Sequence, residues 1–191
     1  MFRLLFALPL VLSIPLAAAA QTSSPARLEP STARVAVLPM ALYTAQANVQ
    51  EPSDSTKARL GSEMLVTRLA ELLGPQLASP DSAGRIAASP EARKRAGDQA
   101  CDVIVACARL VGQRLGAPWV VMAKVSKTSN LIWLFTGQLI RVSTGEIVLD
   151  DSTELKGEPD RMVRAGARIF AERVARTIRE GGVTNNFPVV H

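Results

Sequence analysis

Three strand-like runs in close succession, followed by one long amphipathic helix, constrain this chain more than anything else in its sequence. Trp119 to Ser126 alternates Trp119, Val121, Ala123 and Val125 against Val120, Met122 and Lys124, the period of two that a strand requires. Leu131 to Val142 is apolar on both faces over its first half, which predicts the most central strand of a sheet. Glu146 to Leu155 sets Ile147 and Leu149 against polar neighbours near its end. Lys127 to Asn130 is a short connection between the first two runs, and Ser143-Thr144-Gly145 makes a tight hairpin turn between the last two. A meander of this kind needs a cover for its apolar face. From about Asp160 to Glu180 the chain supplies one, with Val163, Ala167, Phe170, Val174 and Ile178 on a single helical stripe and Gly181-Gly182 to end it.

Upstream, Arg34 to Leu42 reads as a first strand ending near Pro39, and Tyr43 to Pro52 as a polar loop. Ser53 or Asp54 caps a helix through about Leu73, where Leu65, Leu69, Leu72 and Leu73 repeat behind Ala58 and Gly74-Pro75 stops the run. Pro75 to Ser79 is expected as a short edge strand. Pro80 to Gly97 mixes Ser, Pro and Gly and is expected to be irregular with a weak helical turn, its Arg93-Lys94-Arg95 run solvated. Ile104, Cys107, Ala108, Val111 and Leu115 then define a one-faced helix that ends at Gly116 before Pro118. The fold class is α/β (α+β): a mixed sheet of four to five strands in the order β-α-(β)-α-β-β-β-α, with helices packed on it.

Residues 1–20 carry Arg3, an apolar run from Leu4 to Leu16 broken by Pro9 and Pro15, and the small residues Ala18-Ala19-Ala20. That is the layout of a secretory signal peptide, with cleavage expected after Ala20 and the periplasm as destination. The apolar run is shorter than the roughly 20 residues a helix needs to span a bilayer. Residues 21–32 read as a flexible lead-in, 33–182 as a single mixed α/β domain and 183–191 as a loose tail. Arg3 is the only basic residue of the signal segment, so the remainder keeps 21 of the 22 basic residues against 17 acidic ones, a charge of +4. This modest excess favours acidic surfaces, such as an acidic protein or an anionic envelope component, and export argues against nucleic acid as a partner.

Cys101 and Cys107 are the only cysteines. An oxidising compartment favours a disulfide between them, yet C-x5-C on one continuous helix would point the thiols apart. A bond therefore needs Cys101 in a loop that folds back on a helix starting near Asp102 to Val105; two reduced, buried thiols are the alternative. A metal or redox role has little support, because the one histidine is His191 at the chain end.

No cofactor motif or metal spacing occurs, and catalysis of the Ser-His-Asp or Cys-His kind lacks a central base. Asp150, Asp151 and Glu154 could supply a carboxylate pair to a small cell-wall-acting hydrolase, against the reading of ordinary acids at the solvated end of a strand. Lys124, Lys127, Ser129 and Asn130 gather donors around one turn where an anion or a partner could be held; equally, Asn130 could satisfy the turn and Lys124 snorkel. Arg161, Arg164 and Arg168 form a second basic stripe on the last helix. Trp119 and Trp133 read as core, although a sensor or carrier would use a cavity lined by Trp133 and Phe135.

Cys101 and Cys107, Leu115-Gly116-Ala117, Val125 to Ile132, Thr144-Gly145 and Leu155 to Asp160, taken together, resemble a bacterial family of secreted proteins of unknown function, the DUF2380 type, over roughly Arg34 to Thr177. Family members usually carry Thr-Asp followed by Ser-Trp near the start of the last helix, where this chain has Pro159-Asp160 followed by Arg161-Met162. The element order is also similar to the amino-terminal domain of TolB and to CsgG-like envelope proteins, whose domains bind protein partners. That likeness implies a fold, and with it a non-enzymatic accessory protein of the envelope as the expected function.

Overall fold

The computed structural model describes residues 35–44, 51–97, 101–129 and 132–182. The stretches expected as signal peptide, lead-in and tail, together with Asn130 and His191, lie outside these residues. The elements run β1 (Val35–Val37), β2 (Ala41–Thr44), α1 (Asp54–Leu73), α2 (Pro80–Ala87), α3 (Pro90–Ala96), α4 (Val105–Leu115), β3 (Trp119–Lys127), β4 (Trp133–Arg141), β5 (Ile147–Leu155) and α5 (Pro159–Arg179).

The sheet is mixed. β3 pairs parallel with β1 and β2 along one edge and antiparallel with β4 along the other, and β4 carries β5. The expected first strand is thus two strands on one line: Val37 pairs with Val121 and Ala41 with Lys124, so four steps on one strand answer three on the other. Pro39 sits in the extra residue, where the absence of an N–H costs no ladder bond. β3 and β4 are both interior strands, so the Leu131 to Val142 run is central as expected, and β3 is the more deeply buried of the two. β3 is buried on both faces from Trp119 through Ala123, whereas β4 alternates buried and half-buried residues over most of its length.

Alternation on β3 splits the core in two. Trp119, Val121, Ala123 and Val125 face α1 and α5 with Phe135, Leu139, Phe170 and Val174. Val120 and Met122 face α4 and α2 with Ala108, Val111 and Ile140. Both tryptophans are core, Trp119 at 1% and Trp133 at 3% exposure. Gly137 lets the rim of Phe170 come down on β4, and Phe135 meets that ring edge to face at 5.7 Å.

Two expectations between Pro75 and Gly97 are corrected. Gly74–Gln76 is a 3-10 turn, and the predicted edge strand shrinks to one parallel bridge from Leu77 to Val35. Pro80 to Gly97 holds two helices, each opened by a serine whose hydroxyl accepts a backbone N–H and each with proline in the first turn.

α4 covers only the first half of β3. Gly112 lies directly against Val142 and Val120, which brings the helix close at that end. Beyond it, on the same face, Lys124, Ser126, Thr136 and Gln138 are half-buried and Asp150, Ser152 and Glu154 exposed.

Candidate functional site

Two regions bring the expected residues together. The first is the end of β3 on the α1 side. Lys127 is buried at 2% exposure and donates to Asp54 Oδ2 at 2.9 Å and to Glu51 Oε1 at 3.3 Å, with its ammonium 5.4 Å from the centre of the Trp133 ring. Asp54, the first residue of α1, is equally buried and also accepts the Glu51 backbone N–H at 2.8 Å. A carboxylate at that helix end is favoured by the exposed N–H groups. Burial alone would raise the Asp54 carboxyl, but the Glu51 N–H and the Lys127 ammonium overcome it and hold the group below its ordinary value. Burial alone would lower Lys127; hydrogen bonds to Asp54 and Glu51 reverse that and raise it. Its ammonium is thereby turned inward and engaged within the chain.

The turn that follows also closes on itself. Ser129 Oγ accepts the Ile132 N–H at 3.1 Å, and the Thr128 hydroxyl donates to the Ile132 carbonyl at 3.0 Å. Ser53 occupies the cap position of α1 without a side-chain cap, so of the two expected capping residues Asp54 contributes through Lys127.

The second region is the half-open face beyond α4. Lys124 stands here, its ammonium 5.4 Å above the Tyr43 ring. Val103, Met122, Lys124, Thr136 and Gln138 line a cavity of about 160 Å³. Cys101 and Cys107 are bonded, with Cα atoms 5.3 Å apart. The bond forms as the spacing requires: Cys101 begins a 3-10 turn, Cys101–Val103, and Cys107 lies in the first turn of α4. That turn carries Val103 to the cavity wall.

Arg161, Arg164 and Arg168 are exposed along α5. Arg168 bonds Glu172 at 3.2 Å, and Glu172 also takes Arg68 of α1 at 3.0 Å. Among the described residues the guanidinium groups of Arg161 and Arg164 have no acidic partner. The three acids of β5 do not converge: Asp150 and Glu154 project on the half-open face, while Asp151 projects on the other and pairs with Arg173 at 2.9 Å. Trp133 and Phe135 are packed in the core.

Sheet and helices define a mixed α/β protein with its helices divided over both faces. Residues 33–174 match the family model DUF3280, described as a protein of unknown function (DUF2380), and the chain belongs to this family. No curated protein matches it. Among solved structures it is similar to the LpoB C-terminal domain from Salmonella enterica, at 16% identity over 65% of this chain and 83% of that one, with a TM-score of 0.42. The PelC dodecamer from Paraburkholderia phytofirmans matches at 15% identity over 74% and 85%, TM-score 0.42. TolB from Acinetobacter baumannii matches at 14% identity over 81% of this chain and 30% of that one, TM-score 0.43.

Proposed function

We propose that this protein is an exported, periplasmic accessory protein that works by binding another envelope protein, or an anionic envelope component, and not by catalysis. The observation that carries the reading is the basic face of α5. Glu158 and Asp160 satisfy the start of this helix, yet the exposed guanidinium groups of Arg161 and Arg164 form no ion pair with the described residues. Two unpaired guanidinium groups one turn apart on an exposed face suit a carboxylate or phosphate brought from outside. The Cys101–Cys107 bond fits an oxidising compartment, and the signal-like first twenty residues fit export to it.

The test is capture from periplasmic extract by the native protein and by Arg161→Glu/Arg164→Glu, with cell fractionation and the mass of the mature chain measured alongside. A specific protein or anionic polymer held by the native chain, released by the double substitution and by salt, supports the proposal. Identical capture by both, or an unprocessed chain in the cytoplasm, overturns it.

A further inference from the structure

We infer that the cavity beside α4 is a binding site for a small monocarboxylate with a short apolar body. Lys124 is a half-buried cation whose ammonium lies 5.4 Å from the centre of the Tyr43 ring, and among the lining residues whose side chains the structure describes it is the one that carries a charge. An ammonium at the wall of a half-open pocket offers donors to an anion that enters it. Pairing across β3 and β4 sets Lys124 opposite Thr136 and Met122 opposite Gln138, which places an ammonium, a hydroxyl and an amide N–H donor on adjacent positions of one face. A planar carboxylate can accept from all three. Met122 and Val103 add apolar surface for the rest of the ligand.

The rim narrows the class further. Asp150 pairs with Gln138 across β4 and β5 and stands exposed on the same face, so a second negative charge on the ligand meets repulsion there. This selects a monoanion over phosphate or a dicarboxylate. The pocket, about 160 Å³ and open on one side, suits the head of a ligand of a few carbons. Val103 sits on the turn tied to α4 by Cys101–Cys107, so the disulfide positions one wall. This site lies on the opposite sheet face from α5 and stands whether or not the arginine face binds a partner.

Amide shifts of the isotope-labelled, oxidised protein titrated with butyrate decide the matter, with inorganic phosphate and butylammonium as comparison probes. Saturable shifts at Val103, Met122, Lys124, Thr136 and Gln138 with butyrate, at least tenfold weaker with phosphate, absent with butylammonium and lost in Lys124→Gln, support the site. No saturable shift with butyrate, equal shifts from butylammonium, or butyrate shifts unchanged in Lys124→Gln would overturn it. Unaltered spectra elsewhere in Lys124→Gln establish that the variant is folded.

Discussion

Lys127 and Asp54, 73 positions apart, meet at 2.9 Å in the interior and lock the last residue of β3 to the first residue of α1. Breaking such a pair from one side strands a buried charge, which is more damaging than never having had the pair. Asp54→Asn is therefore expected to lower the melting temperature by several degrees, with Lys127→Gln in the Asp54→Asn background adding little further loss. Thermal unfolding of the two variants followed by circular dichroism checks this.

The same pair sets a pH dependence. Asp54 is depressed in the folded state, so its contribution is present above the unfolded carboxylate value, about 4, and lost as pH falls through the lower folded value. Lys127 is raised, so its contribution is full below about 10.4 and lost as pH climbs through the folded value. Acid unfolding of the native protein below about pH 4 should be shallower in Asp54→Asn. An identical acid limb in both proteins would contradict the assignment.

Gly137→Ala would put a methyl group 2.5 Å from the Phe170 ring, and the ring is fully buried. Overpacking of this kind costs about 1–3 kcal/mol. Phe170→Leu leaves room for the added methyl, so the double variant should lose less stability than the two single losses combined. Urea titrations of the four proteins close the cycle.

Reducing Cys101–Cys107, or replacing both residues by serine, should cost about 2 kcal/mol, because the bond closes only a short loop in the unfolded chain. Denaturation with and without reductant measures it. A loss confined to the turn would also appear as faster amide exchange at Val103 while β3 stays protected.

Periodicity alone located α1, α4, α5 and the β3 to β5 meander, since each buries large side chains at regular spacing. It failed where the inward residues are small. α2 and α3 bury Ala83, Ala92 and Ala96, which give no apolar contrast with their neighbours. A usable signal was nonetheless present in Ser79-Pro80-Asp81 and Ser89-Pro90-Glu91, a cap, a first-turn proline and an acid in each case. That β3 is interior, and more deeply buried than β4, escaped because its parallel partners lie more than seventy residues earlier, and nothing local announces them. The candidate site was half visible: Lys124 and Lys127 stood out as cations on one strand, but alternation along β3, which turns Lys124 to the half-open face and Lys127 to Asp54, acquires meaning only when the helices are in place.

The parallel seam between β1 and β3 joins Val35 to Trp119, 84 positions later. A polypeptide is made from its amino end, so the opening strand must wait, edge unzipped and sticky, until most of the molecule has followed it. Assembly then has a natural sequence, in which the hairpins and the closing helix condense on one another and the early segment docks last.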